Sequence, residues 1–132
     1  MVQIPEELLK LKAKKIVFTN GSNAHVANIT KHLGIDDLFY GTFDIVDCDF
    51  MPKPEIESYK KLAKKFNIVP KETVFIEDIA KNLEPAKKLG MKTVWLINDE
   101  NWGKKDSDKD FIDLKIKNLS SFLKEINILQ AA

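Results

Sequence analysis

The chain alternates between short, nearly continuous apolar runs and longer segments whose apolar residues recur every three or four positions. The short runs predict buried strands, and the longer segments predict amphipathic helices. The predicted strands are residues 15–19, 43–46, 73–76, 92–97 and 111–116. The predicted helices are residues 5–15, 26–33, 56–66, 82–89 and 119–126. Because strand and helix follow one another in turn, we expect an α/β fold with a parallel sheet covered by helices on both faces.

Glycines mark the ends of two predicted helices. Gly34 and Gly90 each follow a leucine, at the position where a left-handed C-cap residue is expected. Residues 98–110 are polar and charged, and we interpret them as a surface loop that carries Trp102. No linker or shift in composition divides the chain, so residues 1–132 are predicted to form a single domain.

Composition excludes several classes of protein. A chain of 132 residues that is 44% hydrophobic can fill one core, and its single cysteine, Cys48, permits no disulfide framework, which favours the cytoplasm. The net charge of +1 argues against nucleic acid as a partner, since phosphate neutralisation requires a basic excess. No apolar run approaches the roughly 20 residues of a membrane span. All 21 basic residues are lysines, so any phosphate would be bound by lysine and backbone amides.

Three polar clusters lie where a parallel sheet places its ligand crevice, at or near the carboxyl ends of strands. Thr19-Asn20-Gly21-Ser22 follows the first strand and precedes a helix, so its amides can hold an anion, although a plain N-capped turn has the same composition. Glu77-Asp78 ends another strand; two adjacent carboxylates suit Mg2+ or are simply solvated. Lys53 is held between Pro52 and Pro54, which restrict its backbone.

In this order and spacing, the three clusters resemble the second, third and fourth motifs of the haloacid dehalogenase-like hydrolases, a superfamily composed mainly of Mg2+-dependent phosphatases. The strand ending in Thr19-Asn20-Gly21 resembles the second motif, and Lys53 in Pro-Lys-Pro-Glu resembles the third. Phe75-Ile-Glu-Asp78 with Asn82-Leu83 resembles the fourth. The segment around this last motif is most similar to the pyrimidine 5'-nucleotidase branch. The resemblance covers residues 15–123 and implies a Rossmann-like core.

The resemblance implies phosphoryl transfer in two steps through an aspartyl-phosphate. It assigns Thr19 and Lys53 to catalysis, with the amide of Asn20 helping Thr19 to bind the phosphoryl oxygens. Glu77 and Asp78 would ligate Mg2+, and Asn82 would brace the loop that carries them. A small phosphorylated substrate is the implied partner, with no nucleic acid and no membrane.

The sequence departs from the family pattern in its first motif, DxDx[TV], which supplies the nucleophile. That motif is expected upstream of Thr19, where residues 1–15 offer only Glu6 and Glu7 as acidic side chains. We therefore expect a core that is truncated at its N-terminus, lacks the nucleophile strand and the cap, and is inactive alone. Mg2+ would be held weakly or not at all. Unpaired strand edges would favour self-association or a complementing N-terminal fragment.

Other interpretations stay open. A second polypeptide could supply the first motif and restore a hydrolase, or the chain could be a noncatalytic module that binds phosphate or a partner. Receiver domains also combine an acidic pair, a threonine and a lysine, but in a different order. Asp47-Cys-Asp49 is a weak candidate for a substitute nucleophile. His25 and His32 are interpreted as surface or partly packed side chains.

Overall fold

The computed structural model describes residues 14–20, 40–97, 105–106, 108–119 and 121–125. Nearly all of the first predicted helix and the whole of the second lie outside these residues, as do four other predicted positions: Gly21, Ser22, Gly34 and Trp102. The two histidines also lie outside them. None of the helices in the described ranges is long and apolar enough to cross a membrane. The chain divides into two compact units, one of residues 1–50 with 118–132 and one of residues 51–117, so the single domain stays a prediction.

The first unit contains a two-stranded parallel sheet. Strand β1 (Ile16–Phe18) pairs with β2 (Gly41–Phe43), and Phe18 lies opposite Phe43 in the register. The two phenylalanine rings meet edge to face with 5.5 Å between their centroids, and Phe43 is buried. Such an aromatic pair adds roughly 0.5–1.5 kcal/mol beyond the area it buries. The β1 prediction is therefore confirmed.

The second strand ends earlier than the sequence pattern predicts. Asp44, expected inside the strand, directs its carboxylate at the amides of Val46 and Asp47, at 3.0 and 2.9 Å. The Asp44 amide donates in return to Asp47 Oδ2 at 2.9 Å. These bonds bend the backbone into a turn immediately after Phe43, so the predicted strand over 43–46 is wrong beyond its first residue.

Residues 44–50 form a closely hydrogen-bonded loop around this buried carboxylate. The amide of Phe50 donates to the carbonyl of Ile45 at 2.8 Å, and the buried thiol of Cys48 donates to the same carbonyl. Asp49 and Phe50 adopt positive φ angles of 54° and 61°. A left-handed backbone costs an L-residue roughly 1–2 kcal/mol, so the loop is held in this form by its internal bonds.

The second unit is a three-stranded parallel sheet with helices. Its order is β3 (Val74–Glu77), β4 (Lys92–Leu96) and β5 (Leu114–Ile116), with β4 in the centre. Helix α1 (Ile56–Lys65) precedes a 3₁₀ turn and β3, and a 3₁₀ segment (Ala80–Leu83) leads into α2 (Glu84–Lys88). The predicted strand and helix order of this unit is confirmed, with the helix over 82–89 beginning as a 3₁₀ turn.

The core of the second unit includes both faces of the central strand β4, where the consecutive residues Thr93, Val94 and Trp95 are buried. The ring of Tyr59 on α1 contacts the ring of Phe75 on β3, with 5.4 Å between centroids. Each large apolar side chain buried in this way contributes roughly 1.5–3 kcal/mol. Among the described residues of this unit, the buried apolar side chains are Tyr59, Leu62, Phe75, Ala80, Leu83, Ala86, Met91, Val94, Trp95 and Phe111. Gly90, with φ of 100°, ends α2 as predicted and returns the chain to β4.

Asp113 ties β4 to α2 and to the segment before β5. Its Oδ2 accepts from the buried amide of Thr93 at 2.9 Å, and its Oδ1 accepts from Lys87 Nζ at 2.6 Å. The hydrogen bond from Lys87, followed by the one from the Thr93 amide, lowers the pKa of the Asp113 carboxyl. The charged form of Asp113 therefore stabilises the folded protein.

We expect Asp113→Ala to reduce the free energy of unfolding by about 1–3 kcal/mol at neutral pH, because the buried Thr93 amide loses its acceptor. A carboxyl whose pKa falls on folding contributes fully above its unfolded pKa and loses that contribution as pH falls through its folded pKa. The difference in the free energy of unfolding between variant and parent, measured with urea, should become smaller below about pH 4. Asp110→Ala, at a nearby exposed carboxylate, is the matched control. An equal loss in the control, or no change with pH, would contradict the assignment.

Candidate functional site

Lys53 and Glu77, two of the predicted site residues, form an ion pair in the second unit. Lys53 lies in the loop before α1, and Glu77 is the last residue of β3, 24 positions further on. The Lys53 Nζ to Glu77 Oε2 distance is 2.7 Å, and both side chains are only 9% exposed. The structure therefore brings together residues of the third and fourth motif-like segments.

Burial governs the electrostatics of this pair. Desolvation raises the pKa of Glu77, while the charge of Lys53 lowers it by a smaller amount. The carboxyl of Asp78 also raises this pKa, and the amide of Ile79, which donates to Glu77 Oε1 at 3.3 Å, lowers it. The net effect is a raised pKa of Glu77, because the donors Lys53 and the Ile79 amide offset the effect of burial only in part.

Two buried aromatic side chains fix the segment that follows β3. Trp95 Nε1 on β4 donates to the carbonyl of Asp78 at 2.9 Å. The hydroxyl of Tyr59 donates to the carbonyl of Asn82 at 2.5 Å. Burial raises the pKa of Tyr59, so this hydroxyl keeps its proton as a donor. The exposed Asp78 side chain is therefore carried on a backbone held at both ends of the segment.

Asn82, at the end of this segment, is buried and has a side-chain oxygen without a hydrogen-bond partner among the described residues. Its residue is 2% exposed, and its Oδ1 is the buried side-chain oxygen for which the described part of the chain provides no hydrogen-bond partner. Leaving such an acceptor unpaired costs roughly 1–3 kcal/mol. A buried orphan atom of this kind commonly marks a water or ion position.

The donor chemistry fits Mg2+ only in part. Carboxylate and amide oxygens are its preferred ligands, and Asp78 and Asn82 carry them. Glu77, also predicted as a ligand, accepts from Lys53 and the Ile79 amide. Across the described residues, no group of three or more His, Cys, Asp or Glu side chains is arranged to hold a metal ion. Asp78 and Asn82 therefore supply oxygen donors of the right type, but too few of them for a complete Mg2+ site.

Thr19 and Asn20 belong to the first unit and directly follow β1. The Thr19 amide donates to the carbonyl of Phe43 at 3.0 Å, which continues the β1–β2 ladder by one residue. Thr19 is half-buried and Asn20 is exposed. Both therefore lie at the carboxyl edge of their sheet, as the sequence predicts.

The candidate nucleophile pair Asp47 and Asp49 lies in the loop after β2. The carboxylate of Asp47 accepts from the Asp44 amide, which is a loop-closing role. Sequence analysis missed the buried Asp44, although an aspartate directly before a turn is the signal for such a cap.

The second unit has a surface cavity of about 420 Å3 that contains none of the predicted site residues. Its lining is Glu84, Lys87, Lys88, Asp106, Lys109, Asp110 and Phe111.

Comparisons with known proteins identify relatives of this chain. A family model described as haloacid dehalogenase-like hydrolase matches residues 1–90. The glyceraldehyde 3-phosphate phosphatase of Pyrococcus furiosus is 33% identical over 92 residues, which is 67% of this chain and 38% of that protein. The enolase-phosphatase E1 of Aquifex aeolicus is 37% identical over 65 residues, which is 49% of this chain and 28% of that protein.

Solved structures share the fold. A phosphatase from Thermococcus onnurineus superposes with a TM-score of 0.73 at 23% identity, covering 92% of this chain and 54% of that one. A dehalogenase superposes with a TM-score of 0.76 at 21% identity, covering 97% of this chain and 55% of that one. The chain thus spans about half the length of these structures and less than two-fifths of the curated relatives it matches.

A double-mutant cycle tests the buried pair. We expect Glu77→Leu to reduce the free energy of unfolding by about 3–5 kcal/mol, because it leaves the Lys53 charge buried without its partner. Lys53→Met should cost less at acid pH, where Glu77 can take up a proton, and more as pH rises through the raised pKa of Glu77. The double variant, which buries no charge, should recover most of the loss.

The exposed pair Lys60 and Glu57, 3.2 Å apart on α1, provides the control. Its coupling in an equivalent Lys60→Met and Glu57→Leu cycle should not exceed about 0.5 kcal/mol. Equal coupling in the two cycles, measured by denaturant unfolding, would show that the Lys53–Glu77 pair is not buried as described.

Proposed function

We propose that the chain, which belongs to the haloacid dehalogenase-like hydrolase family, forms the phosphate-binding and Mg2+-binding part of a phosphatase site. The observation that carries this proposal is the buried pair of Lys53 and Glu77, 2.7 Å apart. A lysine ammonium held in place by a carboxylate is a fixed point charge of the kind that stabilises a transferring phosphoryl group. Family membership and the phosphatases among the relatives support the same reading.

The proposal gives each residue one role. Lys53 neutralises phosphate charge, and Glu77 holds Lys53 in position. Thr19 and the amide of Asn20 bind phosphoryl oxygens. Asp78 is the direct Mg2+ ligand, and Asn82 supports the loop that carries it. When bound, Mg2+ supplies further neutralisation of the phosphate oxygens.

A nucleophile is missing from this set. No segment of the 132-residue sequence has the form DxDx[TV]. The proposal therefore limits this chain alone to binding, because loss of a covalent nucleophile removes the two-step route. A further segment carrying that motif, on another polypeptide or on a longer chain, would be needed to complete turnover.

Two kinds of phosphate monoester are candidates for the substrate. The sequence motifs favour a pyrimidine nucleotide monophosphate, while one relative is named for glyceraldehyde 3-phosphate. Both are small phosphate monoesters, and the binding residues proposed here contact only the part that they share. We therefore propose a small phosphorylated compound and leave the nucleotide as the more specific hypothesis.

We expect the purified chain to release no phosphate from p-nitrophenyl phosphate or from pyrimidine monophosphates in the presence of Mg2+. A colorimetric phosphate assay with each substrate measures this. Any release should be unchanged in Lys53→Met and Asp78→Asn, since it would come from a contaminant. Turnover that both variants abolish would sink the proposal that the chain is inactive alone.

Phosphate and Mg2+ should still bind weakly. In a chemical-shift titration with inorganic phosphate and then Mg2+, we expect the amides of Thr19, Asn20 and residues 77–79 to respond. Asp78→Asn should weaken the Mg2+ response about tenfold or more, because a neutral amide replaces the proposed carboxylate ligand. Asp110→Asn, at another exposed carboxylate, is the control and should change nothing. Equal effects of the two variants would mean that Mg2+ is held nonspecifically.

A further inference from the structure

The loop of residues 44–50 presents two large apolar side chains to solvent. Phe50 is 69% exposed and Val46 is 58% exposed. Beneath them, Asp44 and Cys48 are buried, and the hydrogen bonds described above fix the backbone. The loop is thus hydrogen-bonded in its interior, and two of its three exposed side chains, Val46 and Phe50, are apolar, whereas the third is the charged Asp49.

The backbone under Phe50 makes this exposure more informative. Asp49 and Phe50 both adopt positive φ angles, which asparagine or glycine would accept with less strain. A phenylalanine that is 69% exposed gains little burial in return for this strain. Strained residues whose surroundings hold them in place are found preferentially at functional sites.

The position of the loop indicates which function it serves. Strands β1 and β2 are parallel and adjacent, so the residues that follow them lie at the same edge of the sheet. Thr19 follows β1, and the loop follows β2; the Thr19 amide donates to Phe43, the last residue before the loop. The loop that carries Val46 and Phe50 therefore begins at the edge where Thr19 is proposed to bind a phosphoryl group.

We infer that Phe50, together with Val46, is a specificity residue that contacts the organic group of a phosphate monoester and favours a planar or apolar group there. This inference rests on the proposed function. Binding sites for small molecules typically combine a few polar groups that fix orientation with aromatic side chains that cover the rest of the ligand. Thr19 and Asn20 supply the first kind of contact, and Phe50 supplies the second.

Binding titrations followed at the Thr19 and Asn20 amides test the inference with three probes: inorganic phosphate, glycerol 2-phosphate and phenyl phosphate. Phenyl phosphate should bind about five- to tenfold more tightly than the other two, as one aromatic contact provides. Phe50→Ala should remove that preference and leave the affinity for inorganic phosphate unchanged. Phe50→Asn should do the same while relieving the backbone strain, so loss of folding cannot explain the result.

Tyr40→Ala is the matched control, since Tyr40 is 63% exposed and precedes β2, at the opposite edge of the sheet. It should keep the preference for phenyl phosphate.

Equal affinities of the parent chain for the three probes, or a preference that survives in both Phe50 variants, would overturn the inference. If inorganic phosphate does not shift the amide signals of Thr19 and Asn20, the proposed function on which this inference rests is itself wrong. If Phe50→Ala changes only concentration-dependent light scattering, Phe50 is a protein contact and the inference is wrong.

Discussion

The buried ion pair between Lys53 and Glu77 is the interaction on which the candidate site depends. Taking two charges out of water is costly, and their attraction repays the cost only when geometry and further hydrogen bonds are favourable. Here the distance is 2.7 Å, and Glu77 receives a second donor from the Ile79 amide. Replacing a buried ion pair with apolar side chains of similar shape often leaves stability unchanged or raises it, so stability alone does not account for these two charges.

The fold positions Glu77 of this pair by fixing the backbone of the segment that follows β3. Trp95 and Tyr59 use their ring and hydroxyl donors to hold the carbonyls of Asp78 and Asn82, which fixes the backbone beside Glu77. The same aromatic side chains fill the core of the second unit. The same residues therefore provide apolar burial and hold the backbone that carries the carboxylates of the candidate site.

Local patterns in the sequence predicted most of the strands and one helix end. The features that they did not predict depend on side-chain contacts rather than on apolar periodicity. The apolar runs predicted β1, β3 and β4, and Gly90 predicted the end of α2, because these features depend on neighbouring residues. The end of β2 at Phe43 depends on a side-chain cap that apolar periodicity does not register. The Asp113 contacts with Lys87 and Thr93 span 26 and 20 positions, so no local pattern contains them. The ion pair between Lys53 and Glu77 spans 24 positions and is equally outside any local pattern.

The side-chain nitrogen of Lys53 offers the most direct measurement of the central claim, that a buried and oriented lysine binds phosphate in this chain. Its Nζ signal can be followed by NMR in lysine-labelled protein while inorganic phosphate is added. The account predicts that, of the 21 lysines, Lys53 gives the largest and saturable shift, while exposed lysines such as Lys60 and Lys88 stay unchanged. A Lys53 signal that does not move, or shifts of equal size across the exposed lysines, would contradict it.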